Sequence, residues 1–269
     1  MLRTLMSRQW AGALALAAVF AVVAVLLGNW QYSKHVDKTA NRDRVAAHYD
    51  AEPRPLGDTV DLTEPVTQAE EWTRVTATGS YRAQDQLMVR NRPFDGTFGY
   101  EVLVPFVPDD GSPAVLVNRG WLANAEDAST LPEVPPPPEG TATVTGWLRP
   151  GEPDLGRDLP AGQLASINVA GAQAAIGPDL PLLDGYLVLG EESPEVERPV
   201  PIARPRTDLG PHLAYAIQWW FTSPIGFVMV VVFARRDYLD AQAQERTATD
   251  GTPVPARPKK VRIWDEEDG

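Results

Sequence analysis

The sequence predicts an α+β membrane protein: two transmembrane helices, one near each end, flanking an extracytoplasmic antiparallel β-rich domain, a small barrel or sheet with one short helix. Three observations predict it. Two uncharged blocks, residues 10–27 and 213–234, are each long enough to cross a bilayer. Between them, apolar residues recur at period two and are punctuated by Gly, Pro and Asp turns. The excess of acidic residues is confined to residues 30–211, leaving the flanks close to neutral.

Taken in order, residues 1–9 form a short cytoplasmic N-terminus and 10–30 the first transmembrane helix. The block WAGALALAAVFAVVAVLL covers roughly 27 Å at 1.5 Å per residue, near hydrocarbon thickness. Its apolar run is longer than that of a secretory signal, and no small-x-small cleavage site follows it, so an uncleaved anchor is expected. Residues 31–49 are polar and rich in helix formers, which predicts a helical stalk ended by Pro53 and Pro55.

The β-rich domain occupies residues 31–211. Its clearest strand is 98–107, with Phe98, Tyr100, Val102, Val104 and Phe106 on one face, and Pro105 suggests an edge or a strand end. A short buried strand is expected at 114–118. At 141–148, Ala142, Val144 and Leu148 alternate with Thr141, Thr143, Thr145 and Trp147. Weaker candidates are 71–79, 86–92 and 186–189. Turns are expected at 94–96 and 109–111, and the prolines of 135–138 predict an extended run that is not a packed element. One helix, 168–176, has Asn168 as N-cap, Gly177 just past its end and Pro178 as its stop.

Residues 212–234 form the second transmembrane helix, whose apolar block spans roughly 33 Å and closes on Arg235 and Arg236. Pro224 and Gly226 interrupt it. Residues 235–269 read as a disordered cytoplasmic tail. Arg3, Arg8, Arg235 and Arg236 nearly balance Lys34, Lys38, Arg42 and Arg44 across the two helices, so orientation rests on another fact: long domains translocate largely regardless of charge. Both termini inside a bacterial cytoplasmic membrane is therefore the expected arrangement, with the lipid bilayer as one partner.

Composition excludes several functions. With no cysteine there is no disulfide, thiolate metal site or cysteine nucleophile, and with only four methionines a copper chaperone has no soft ligand set. A net charge of −12 argues against nucleic acid as a partner. There is no P-loop, no Gly-x-Gly-x-x-Gly and no Gly-x-Ser-x-Gly, and the three histidines, His35, His48 and His212, lack metal-ligand spacing. An enzyme is not expected.

His212 begins the second membrane helix, where 100° per residue groups it with Tyr215, Ala216 and Trp219. Two readings fit. An imidazole above an aromatic wall is half of a haem site, since one histidine can ligate haem iron and flat rings suit a macrocycle; alternatively, Tyr215 is an interfacial anchor and His212 a polar helix start. Trp219 and Trp220 lie deeper than an aromatic belt and favour packing against something specific. Asn118-Arg119-Gly120-Trp121 likewise has two readings: Arg119 clamps a carboxylate or a propionate, or Gly120 makes a bulge that sends Trp121 into the core.

Together these residues resemble a known family. Gly28-Asn29-Trp30-Gln31 looks like its Gly-x-Trp-Gln at the end of helix one. Arg90-Asn91-Arg92 through Gly99-Tyr100 to Pro105-Phe106 is similar to its central strand pair, and Val117-Asn118-Arg119-Gly120-Trp121 to its most recognisable segment. The run from His212 to Trp220 resembles its His-Leu-x-Tyr-x-x-x-Trp. The family is that of surfeit locus protein 1, the Shy-type cytochrome c oxidase assembly factors, of which this chain looks like a bacterial member. The resemblance implies a non-enzymatic factor that helps place a-type haem (haem A) into oxidase subunit I, with His212 in the position proposed as the haem-iron ligand and with haem A synthase as a further partner. Tyr215, Trp219 and Arg119 would complete the cofactor site, and Gly28, Trp30, Gln31, Asn118, Gly120 and Trp121 are the remaining family positions. One departure is Lys34, where the family has arginine; lysine keeps the charge and loses the planar fork. The competing reading is a membrane-anchored scaffold that stabilises an oxidase subunit without touching haem.

Overall fold

A computed structural model describes residues 6–125 and 130–250, with side chains up to 246. In chain order the elements are α1 (Arg8–His48), β1 (Arg54–Pro55), β2 (Arg74–Tyr81), β3 (Leu87–Phe94), β4 (Thr97–Pro108), β5 (Ala114–Ala123), β6 (Thr141–Arg149), β7 (Gln163–Leu164), α2 (Val169–Ile176), β8 (Leu182–Ser193), α3 (His212–Thr222) and α4 (Ile225–Asp250). They form two compact units, a helical one of Met1–Val36 with Gly210–Gly269 and a β unit of Asp37–Leu209.

In the helical unit, α1 and the stretch His212–Arg246 are long and apolar enough to cross a membrane. Most of their large side chains face outward: Leu16, Val19, Leu26, Phe221 and Val228 are all exposed. Apart from Val230, the buried residues among those described in this unit are small. Ala17, Ala24 and Gly28 on α1 and Ala216 and Ala234 on the second span are buried. This is how membrane helices approach closely, because water supplies no hydrophobic drive between them inside a bilayer. The second span breaks at Ser223–Pro224, since proline brings no N–H and its ring crowds the preceding turn. Thr222 Oγ1 donates to the Gln218 carbonyl at 2.6 Å and Ser223 Oγ to that of Trp220 at 2.9 Å, satisfying oxygens at the break.

The expectation of a disordered tail from Arg235 is corrected over 235–250, where α4 continues. The run Ala241-Gln242-Ala243-Gln244-Glu245-Arg246 consists of good helix formers, and Gln242 Nε2 donates to Tyr238 Oη at 2.7 Å one turn back. Residues 251–269 of the expected tail and 1–5 of the expected N-terminus lie outside the described residues.

The β unit is a closed sheet. Strands β2, β6, β8, β5 and β4 pair in that order, and β4 returns to β2 through Gly79–Pro108, Ser80–Val107 and Tyr81–Phe106. Closure removes free edges. All full-length pairs are antiparallel except β5–β8, whose strands are joined by a long connection carrying β6 and α2. Inside lie Phe106, Val115, Val117, Val144, Leu148 and Leu187; outside, α2 packs Val169 and Ala172 over Leu116, Tyr186 and Val188. As expected, Asn168 caps α2, its Oδ1 accepting from the Gly171 N–H at 2.6 Å.

Pro105 is not at an edge. It stands in the central strand β4 between Leu103, the last residue paired with β3 in that direction, and Phe106, the first paired with β2. The missing N–H thus falls where the neighbouring strand changes. The run 135–138 lacks regular structure, but Pro137 and Pro138 are buried, so the expectation that it is not packed is corrected. One reason is a polar contact: the Pro135 carbonyl accepts from Arg119.

Candidate functional site

The residues singled out in the sequence fall into two groups, one in each unit. In the helical unit, His212 opens α3 as expected. Its Nδ1 is 2.8 Å from Gln31 Oε1 on α1. An imidazole with its proton on Nδ1 donates to an amide oxygen so placed and keeps the lone pair on Nε2. What brings Gln31 opposite His212 is a close approach one turn earlier. A Cβ built on Gly28 would meet the Trp220 indole at 2.5 Å, so only glycine lets that ring lie against α1. Trp220 Nε1 donates to Asn29 Oδ1 at 3.2 Å, and its ring packs against Tyr32 with centroids 5.7 Å apart. Further along, a Cβ on Gly226 would stand 3.1 Å from that of Ala17, a second tight crossing.

The grouping expected from helical angles is therefore rearranged. His212, Ala216 and Trp220 turn toward α1, Ala216 being wholly buried, whereas Tyr215 is 46% exposed on the adjacent stripe at i+3 from His212, with Trp219 four residues on. Trp30 is 55% exposed and Lys34 is exposed. Angular reasoning missed Trp220 and Gln31 as the contacts of this site. The signal for both was the glycine of Gly28-Asn29-Trp30-Gln31, which marks a close approach one turn before the glutamine.

In the β unit, both readings of Asn118-Arg119-Gly120-Trp121 are visible. Val102 pairs with Gly120 and Leu103 with Asn118, so Arg119 is the extra residue of a bulge. Gly120 has φ +138, and a Cβ there would run into the Val200 carbonyl. Trp121 turns inward, 7% exposed, stacks on Phe94 at 5.0 Å and donates its indole N–H to the Arg92 carbonyl. Arg119 does clamp a carboxylate, but the protein's own: Nη2 donates to Glu192 Oε1 at 3.0 Å and Nη1 to the Pro135 carbonyl at 2.7 Å, while Tyr81 Oη donates to Glu192 Oε2 at 2.9 Å. Arg119 is 0% exposed. It has no surface to offer a propionate, and that expectation is withdrawn. Burial, followed by the Glu192 charge, pushes the Tyr81 phenol far above its ordinary range, so it remains a donor.

Asn118 joins a second polar cluster, donating to Glu101 at 2.7 Å. Glu101 and Glu152 share Arg92. Burial pushes Glu101 above the usual carboxylate range against the pull of Arg92 and Asn118. Glu152 goes the other way, because hydrogen bonds from Arg92 and the Ile167 N–H overcome its burial. A cavity of about 510 Å³ beside α2 is lined by Glu152, Asp184, Asn168 and Gln173 among others, and by none of the expected site residues.

Comparison with known proteins identifies the family of the chain. Residues 18–223, from within α1 to the break after α3, match the model of the SURF1 family. An uncharacterised SURF1-like protein of Mycobacterium bovis is 32% identical over 259 residues, covering 93% of this chain and 92% of its own. The yeast (Saccharomyces cerevisiae) cytochrome oxidase assembly protein SHY1 is 28% identical over 148 residues, 53% of this chain and 38% of its own. A SURF1-like protein of Dictyostelium discoideum is 28% identical over 116 residues, 39% of this chain and 41% of its own. The family match takes in most of α1, the whole β unit and α3, and on that basis the chain belongs to the SURF1 family.

Proposed function

We propose that this chain is a non-enzymatic assembly factor for haem–copper cytochrome c oxidase, anchored in a bacterial plasma membrane with its β unit on the outer face, and that it assists insertion of a-type haem into subunit I. Membership of the SURF1 family supports the assembly role, since the yeast relative is named for cytochrome oxidase assembly. The haem is cargo, received from its synthase and delivered to the oxidase subunit.

The observation that carries the haem reading is the His212–Gln31 pair at 2.8 Å. An imidazole whose Nδ1 is committed to an amide oxygen offers its other nitrogen to iron, and outer partners of this kind fix the orientation of histidine ligands. The donor set fits a haem: one imidazole, with Tyr215 and Trp219 on the neighbouring stripe as aromatic surface and the exposed Lys34 one turn beyond Gln31 as a cation for a propionate. Arg119, being buried, takes no part.

Spectroscopy of the detergent-purified chain from cells that make haem A tests this. A Soret band is expected, reduced in His212→Ala. Co-purification with oxidase subunits without a Soret band, together with normal oxidase assembly in His212→Ala, would replace the haem reading by that of a scaffold.

A further inference from the structure

We infer that Gln31 is a positioning residue for His212: it fixes the Nδ1–H tautomer and so makes Nε2 the electron-pair donor of the site. The inference deepens the haem reading and rests on it for the identity of the acceptor, but its physical content is a property of the protein alone. A neutral imidazole has one N–H and one lone pair, and the tautomer is chosen by whatever the first nitrogen meets. Here Nδ1 meets Gln31 Oε1 at 2.8 Å, within the range of a good N–H···O bond.

Three features make this a fixed arrangement. Gln31 is one turn beyond Gly28, where the absence of a Cβ seats Trp220 directly on α1. Trp220 is tied to Asn29 by its indole N–H and to Tyr32 by ring contact, which sets the register of the two helices immediately below His212. Gln31 is itself partly buried, so little water competes for its amide oxygen. The helix pair is held by Gly28–Trp220 and Ala17–Gly226, and replacing Gln31 removes neither contact. An effect of that replacement on His212 is therefore separable from loss of fold.

The test is nitrogen NMR of the full chain in detergent, labelled with ¹⁵N-histidine, at about pH 9, where an ordinary imidazole is neutral. Only three histidines contribute, and His212→Ala identifies the signal of interest. In the parent chain the unprotonated nitrogen is expected to be Nε2. Gln31→Leu is expected to give a mixture of tautomers, and Gln31→Glu, which keeps an acceptor at the same place, to restore Nε2. A parent chain with its proton on Nε2, or a Gln31→Leu spectrum identical to the parent's, overturns the inference. Haemin titration of the same samples supplies the second arm: Gln31→Leu is expected to weaken binding about 10- to 100-fold, the usual effect of losing an outer partner of a ligand, with Gln31→Glu near the parent. Equal haemin affinity in the parent and Gln31→Leu overturns the positioning role. Affinity unchanged in His212→Ala overturns the haem reading instead and leaves Gln31 decided by the tautomer measurement.

Discussion

At the scale of single residues, Arg119 belongs to the most buried ion pair among the described residues of the β unit. Its guanidinium and the Glu192 carboxylate have side-chain exposures of 0% and 1%. A buried pair of this kind stabilises little against a hydrophobic isostere, yet removal of one partner strands the other charge in a poorly solvating interior. Arg119→Met is accordingly expected to lose about 3–5 kcal/mol, and adding Glu192→Leu to regain most of it; thermal unfolding of the full chain followed by tryptophan fluorescence reads both. Equal losses in the single and double variants would show that the stranded charge is not the cause. The arginine was conspicuous in the sequence, but its partner was not. Glu192 belongs to an acidic run with Glu191, Glu195 and Glu197, which reads as a solvated face, and only pairing of β8 with β6 places that one carboxylate in the interior.

At the scale of elements, legibility follows from how local the cause is. Strands β4 and β6 and helix α2 were readable because period-two alternation and an Asn cap are written within a few residues. Closure of the barrel and the parallel β5–β8 pair depend on which strand meets which across long connections, and no local pattern encodes that. The α4 extension was misread because its polar, apolar-poor sequence suits solvent equally well as coil or as helix. Of the site, His212 was readable from its place at a helix start, while Gln31 and Trp220 required the register of two helices. The Arg92 cluster links β3, β4 and the start of the segment before α2, and its two carboxylates respond oppositely to pH. Glu101, held above its ordinary value of 4.5, contributes stability below that value and loses it as pH rises through its folded value. Glu152, held below the same ordinary value, contributes stability above it and loses it as pH falls through its folded value. At pH 7, Glu101→Gln is thus expected to be no less stable than the parent, and Glu152→Gln to lose about 1.5–3 kcal/mol, the size of a charge-assisted hydrogen bond. Urea midpoints measured across pH check both signs, and a stable Glu152→Gln beside a destabilised Glu101→Gln would refute the assignment.

At the scale of the whole molecule, the charge distribution and the two apolar spans must be satisfied by one orientation in the bilayer. The acidic excess sits between the spans, with arginines at Arg8 before the first and at Arg235 and Arg236 after the second. Lys34, Lys38, Arg42 and Arg44 follow the first span and oppose a simple positive-inside count, but they lie on the continuation of α1 at the head of a long domain, the situation in which translocation proceeds largely regardless of charge. The absence of cysteine turns this into a clean experiment, because any introduced thiol is the only one in the chain. Asp110 in the β4–β5 turn and Asp237 on α4 are both exposed, so neither substitution disturbs a core. In intact spheroplasts a membrane-impermeant maleimide is expected to label Asp110→Cys at once and Asp237→Cys only after permeabilisation. The reverse pattern would put the β unit in the cytoplasm and move His212, at the opening of the second span, to the inner edge of the bilayer, away from the face from which the proposed haem transfer takes place.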